Sequence, residues 1–211
     1  DKIGKSPAIA VETNKSGERS RRLREDELQR LLEAAHDLGG PRGDVVEVLV
    51  RLAKRKEEVS KMVWEDIDIA ERIWLLPDVR SKNGDPYRIE LPAQVMEIIL
   101  GQQLDGRLRK GPVFTLDGGR TSPEMGSQVK DLLDALLHRR LELANERDGT
   151  ALSVQHYTIH DLRTSVASRL EEEPFQIPAS TIDAILLHKK AGKVTRTYQR
   201  ASLNTEAGKA I

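Results

Sequence analysis

The chain has 211 residues, 38% apolar and 32% charged, enough for one well-packed domain or one domain and a tail, with the charge of a heavily helical surface. It has no cysteine, which excludes disulfides, thiolate catalysis and Cys-ligated zinc, and no apolar run approaches membrane-spanning length. Its 34 basic and 34 acidic residues cancel, so a polyanionic partner would have to be met by a local basic face.

Residues 1–22 carry Lys, Ser, Gly and Arg without an apolar period, and are expected to form a flexible lead-in or interdomain linker before a domain over 23–211. Leu28, Leu31, Leu32 and Ala35 recur at helical spacing, predicting a helix over Glu25–Leu38 that stops at Gly39-Gly40. Arg24 stands where a Ser or Thr cap is expected, so the first turn reads as poorly capped. Val45, Val46, Val48, Leu49, Leu52 and Ala53 predict a second helix, apolar on most sides and buried. Arg55 lies at its end, just before Glu58 begins another short turn.

After Trp64 the pattern changes to short strands. Residues 72–76 and 87–91 bracket Asn83-Gly84 and Pro86, predicting a small antiparallel sheet with Lys82 near its outer tip. Pro92 opens a helix to about 104 with Val95, Ile98 and Ile99 inward, weakened near its end by Gly101. A loop over 106–111 leads to Val113-Phe114-Thr115-Leu116, a short buried strand or bend. From 123 to about 145 a long amphipathic helix sets Val129, Leu132, Leu133, Leu136, Leu137 and Leu141 on one face, and Asp148-Gly149 ends the segment. Its Lys130, His138, Arg139 and Arg140 read as a solvated face. The fold class is mainly α with a small antiparallel β-sheet, α+β.

The remaining stretch carries the chemistry. His160-Asp161-Leu162-Arg163 opens a helix through Leu170, and a second short helix ends at Ile185-Leu186-Leu187-His188. Lys189, Lys190 and Lys193 then lead into Thr195-Arg196-Thr197-Tyr198-Gln199-Arg200, with no acid between Ala184 and Arg200. Tyrosine is a poor nucleophile at its reference pKa of about 10, but cationic neighbours favour the phenolate and would hold a phosphate for it to attack. Each residue also has a plainer reading: His160 and Arg163 as surface, His188 as a helix-end histidine, Lys82 as an edge lysine, Tyr198 as a packing aromatic. His156 and His160 have a metal-ligand spacing, but Tyr157-Thr158-Ile159 between them is β-prone and no Glu follows His156. Glu57 and Glu58, like 171–173, read as helix surface.

Arg55, Lys82, His160, Arg163, His188 and Tyr198, in this order and spacing, resemble the catalytic domain of the tyrosine recombinase (phage integrase) family from about residue 20 onward. That family has an early Arg, a hairpin Lys, His-x-x-Arg, a second His and a nucleophilic Tyr. Met62-Val63-Trp64-Glu65-Asp66-Ile67-Asp68 also follows its pattern. Two positions depart from it. Leu52-Ala53 stand where members usually have Thr-Gly before the first Arg, and Leu187 stands where a Gly or small residue usually precedes the second His.

The resemblance implies the tyrosine recombinase catalytic-domain fold and site-specific DNA recombination. Tyr198 would attack the scissile phosphate, Arg55 and Arg163 would hold its non-bridging oxygens, and Lys82 would protonate the leaving 5′-oxygen. His160 would take the tyrosine's proton and His188 would bond the phosphate. No metal or cofactor is expected, because the arginines supply the charge. The expected partner is double-stranded DNA, bound by a homo-tetramer assembled from free monomers through the segment after Tyr198. A separate N-terminal DNA-binding domain is expected in the full-length protein, with a cytoplasmic location and no membrane. The alternatives are a type IB topoisomerase-like DNA relaxation activity and a catalytically silent DNA-binding or scaffold domain.

Overall fold

The computed structural model describes residues 21–103 and 109–187; His188, Tyr198 and the segment after it lie outside them. Helix α1 (Glu25–Leu38) has the bounds its apolar spacing predicts, burying Leu28, Leu31 and Ala35, with Leu32 partly buried. Its first turn is better satisfied than Arg24 suggests. The carboxylate of Glu27, itself buried, accepts from the Arg24 N–H at 2.8 Å and from Arg21 Nη2 at 2.6 Å. An acid at the third helical position thus takes up an N–H that a Ser or Thr cap would leave open.

Gly39 and Gly40 make a corner rather than a loop, since α2 (Gly40–Leu52) begins at once with Pro41 in its first turn. At Gly43 the two helices meet: a Cβ there would lie 2.2 Å from the carbonyl oxygen of Ala35. Helix α2 packs against α1, α3 (Lys56–Ser60), α4 (Ala93–Gly101) and α6 (Ile159–Glu171). Contact on so many sides is why Val45, Val46 and Val48 are fully buried, leaving Asp44, Glu47 and Arg51 as a narrow, partly exposed polar stripe.

Strands β1 (Ile67–Asp68), β2 (Ile73–Leu76) and β3 (Tyr87–Glu90) form an antiparallel sheet in that order. Trp74 lies opposite both Ile67 and Ile89, and Leu76 opposite Tyr87. One face is buried through Trp74, Leu76, Tyr87 and Ile89, while Leu75 and Arg88 face out. The strand β1 was not expected; two residues are too few to show an alternation. Residues 77–86 connect β2 to β3, with Gly84 at φ 69°.

Helix α4 ends at Gly101, three residues short of expectation. Val113 and Phe114 are buried in a bend, and Leu116 is exposed. Helix α5 (Ser127–Asp148) starts four residues later than predicted and closes on Gly149 at φ 64°. Its core stripe is Val129, Leu133, Leu137 and Leu141, so Leu132, exposed, leaves the predicted face. Helix α5 packs on α1, where Arg140 is held by Glu33 at 3.0 Å and Asp37 at 2.7 Å. Helix α6 starts from Thr158, whose hydroxyl accepts from the Asp161 N–H while Asp161 accepts from the Thr158 N–H at 2.7 Å. Helix α7 (Ala179–Ile185) packs against α6. Among the described residues no helix is long and apolar enough to cross a membrane.

Candidate active site

The junction between α2 and α3 positions the first arginine. Ala53 turns the chain left-handed at φ 50° and ψ 33°, with its N–H bonded to Leu49 O at 2.9 Å. Two residues later Arg55 is the N-cap of α3. Its Nη1 donates to Glu58 Oε1 at 3.0 Å, and Glu58 also accepts from the Arg55 N–H at 3.2 Å. Glu58 is therefore no surface acid, as its pairing with the exposed Glu57 suggested; it is buried and fixes the arginine's direction. Arg55 keeps 17% of its side chain exposed, enough to present a guanidinium edge to solvent.

Arg163 reaches the same place from α6. It is buried, with Nη1 donating to Ala53 O at 2.9 Å and Nη2 to Leu186 O. Burial, and next the charge of Arg55, pull its pKa down to about 10, with Glu58 opposing. Arg163 is held by neutral backbone carbonyls and Arg55 by Glu58, so two guanidiniums share one carboxylate and a further anion beside them would be favoured.

The β2–β3 connection supplies the third side. Asn83 Oδ1 lies 3.5 Å from Arg55 Nη2, and the Asn83 amide donates to Leu187 O. Lys82 beside it is exposed, and His160 is exposed on the first turn of α6, three residues before Arg163 and on the same helix face. His156 precedes α6, so the two histidines do not share a helix face. Among the described residues no group of three or more His, Cys, Asp or Glu is placed to hold a metal ion.

At both points where the chain departs from the family pattern, a non-glycine residue turns left-handed. Ala53 has φ 50° and Leu187 has φ 55°. This conformation costs a non-glycine residue about 1–2 kcal/mol, and the surrounding hydrogen bonds hold it: Ala53 O to Arg163, Leu187 O to Asn83.

Lys54, between Ala53 and Arg55, was not singled out by its sequence. It is buried and donates to Ile185 O. Burial, then the charge of Arg163, push its pKa down to about 7; Glu58 opposes and Arg55 adds to the fall. The only local signal is a lysine that directly continues an apolar helix.

Solved structures of similar fold include integrases and recombinases. The lambda integrase catalytic core is 20% identical with a TM-score of 0.52, the match covering 80% of this chain and 95% of that one. A lambda integrase dimer bound to a COC′ core site is 20% identical with a TM-score of 0.58, covering 86% of this chain and 62% of that one. XerA recombinase is 22% identical with a TM-score of 0.53, covering 90% and 63%. The chain thus spans about 62% of the integrase in the core-site dimer. No curated protein sequence matches it. The family model described as the phage integrase family matches residues 21–204. The chain belongs to the phage integrase family, and its described part has the mainly helical fold, with a small antiparallel sheet, of a tyrosine recombinase catalytic domain.

Proposed function

We propose that the protein carries out site-specific DNA recombination, cleaving a strand through a 3′-phosphotyrosyl link and rejoining it to a partner strand. The observation that carries this is the convergence of Arg55 and Arg163, 108 positions apart, with the loop bearing Lys82 joined to Arg55 through Asn83. A planar fork suits a phosphodiester's two non-bridging oxygens, where charge grows as the phosphorus becomes five-coordinate.

In this reading the Tyr198 oxygen attacks phosphorus, its proton passing to His160, and the P–O5′ bond breaks with Lys82 protonating the leaving oxygen. His188 bonds a phosphate oxygen. The partner strand's 5′-hydroxyl then attacks the phosphotyrosine and returns the phenol. Bond energy is kept in the covalent link, so no nucleotide hydrolysis is needed. Of the three tyrosines, Tyr87 and Tyr157 are buried in the core, and burial drives the Tyr157 phenol far above the ordinary range. Neither is placed to meet DNA, which favours Tyr198.

The proposed partner is double-stranded DNA. The matched relatives include a lambda integrase tetramer bound to a Holliday junction, and we extend assembly on DNA to this chain as a homo-tetramer that is monomeric when free. The test is to incubate the protein with a library of nicked duplexes of randomised sequence and recover DNA that stays attached after denaturation. Covalent DNA mapped to Tyr198, and lost in Tyr198→Phe, is the expected result. Attachment that survives Tyr198→Phe, or none from any duplex, would overturn the reading.

A further inference from the structure

Three consecutive carbonyls at the end of α7 each take a side-chain hydrogen bond from a different part of the fold. Ile185 O accepts from Lys54 Nζ, Leu186 O from Arg163 Nη2, and Leu187 O from the Asn83 amide. Such carbonyls are the ones a helix leaves unpaired at its C-terminus. Two of these ties run in parallel between the same two backbone segments. Lys54 joins its own position to Ile185, while Arg163 spans Ala53 O and Leu186 O, the residues one before and one after those.

Lys54 is an unfavourable choice for stability alone. It is buried, and the charged groups facing it are Arg55 and Glu58 from the start of α3 and Arg163 from α6, with the Ile185 carbonyl as its contact from α7. Two of those three charges repel an ammonium, and burial with this repulsion brings its pKa to about 7. An apolar side chain of equal length would fill the space without that penalty. What a methionine lacks is a donor long enough to reach Ile185 O. The distance between residues 53–54 and 185–186 is also what sets the plane of the Arg163 guanidinium.

Resting on the function proposed above, we propose that Lys54 is a positioning residue: by tying Ile185 O to the α2–α3 junction it fixes the end of α7, and so the orientation of Arg163 relative to Arg55 across the scissile phosphate. It acts through the backbone that Arg163 spans. Without the tie the two arginines remain present and DNA still binds, but the fork no longer meets the transition state squarely.

The test uses the whole chain and two variants, Lys54→Met, which keeps length without a donor, and Lys54→Gln, which keeps a shorter neutral donor. Amide hydrogen exchange of the DNA-free protein reads the anchor directly, through the Leu186 N–H bonded to Ile182 O and the Leu187 N–H bonded to Ala184 O. In Lys54→Met those two amides should exchange about 10-fold faster, the effect of losing one hydrogen bond to a charged group, while α1 and α5 amides keep their rates. Lys54→Gln should fall between, and still gives an answer if the methionine variant does not fold.

With a duplex recovered by covalent trapping, single-turnover cleavage in Lys54→Met should fall about 10-fold while Kd for that duplex changes by less than about twofold, the signature of an interaction used in the transition state. Unchanged exchange at Leu186 and Leu187 would overturn the proposal, as would uniform acceleration across the chain, which marks a merely structural lysine. No DNA trapped by the wild type, together with the local exchange change in Lys54→Met, would sink the recombinase reading and leave the anchor standing.

Discussion

Asn83 donates its side-chain amide to the backbone carbonyl of Leu187, a residue 104 positions further along the chain. The same side chain presents its oxygen to Arg55. One neutral amide thereby joins the loop that carries Lys82, the first arginine, and the last described residue before His188. Both ends of an amide are needed for this, one donating and one accepting, which is why Asp would serve only half of it.

Asn83→Ala should therefore lower covalent trapping more than stability. Loss of one hydrogen bond predicts about 1 kcal/mol by urea unfolding, whereas the loop and the end of α7 lose their common register. Asn83→Asp keeps the acceptor for Arg55 and loses the donor to Leu187 O, so it should also cleave poorly. Wild-type cleavage by Asn83→Asp would show that the Leu187 bond has no functional weight.

Arg163→Lys should fail in two ways at once. The guanidinium spans Ala53 O and Leu186 O, and an ammonium cannot donate to both in that geometry. Leaving one buried carbonyl without its donor costs about 1–3 kcal/mol, so the melting temperature should fall. Cleavage should drop by about 10²–10³, as for loss of one preorganised donor. Arg55→Lys keeps its Glu58 partner and should lose cleavage with a smaller change in stability. Near-normal cleavage by Arg163→Lys would refute the fork.

Lys54 gives the stability a pH slope. Its folded pKa, about 7, lies below the ordinary 10.5. Between those values the unfolded chain binds more protons than the folded one, so stability rises as pH increases from about 7 towards 10.5. Below about pH 7 the ammonium is charged in both states and the penalty of burying it is fully present. Urea midpoints measured at pH 6, 8 and 9 should climb for the wild type. Lys54→Met should flatten that climb and unfold later than wild type at pH 6; an identical slope in both proteins would contradict the assignment.

Gly43→Ala tests the closest helix contact. The added methyl would meet the Ala35 carbonyl oxygen at 2.2 Å, and the obstacle is backbone rather than a rotatable side chain. The helices must separate, and the loss should reach about 3 kcal/mol, the upper end of ordinary overpacking. Urea unfolding measures it, with an unchanged m-value expected. Wild-type stability would mean that α1 and α2 already sit farther apart.

Helix α1 was legible to the residue because its period and its stop lie within one window of the chain. The β2–β3 pairing was legible for a similar reason, from Asn83-Gly84 between two apolar runs. Three features were not. Glu58 reads as a surface acid beside Glu57, yet it is buried and paired with Arg55 where the α2–α3 junction closes. Leu132 lies within the apolar face drawn from spacing, yet α5 buries only a narrow stripe against its neighbours, and packing width is not written in periodicity. Lys54, Asn83 and Arg163 find their acceptors 131, 104 and 23 positions away, all at the end of α7. Local spacing encodes which residues share a helix face; which carbonyl a buried cation satisfies is decided only when distant segments close around it and water is excluded.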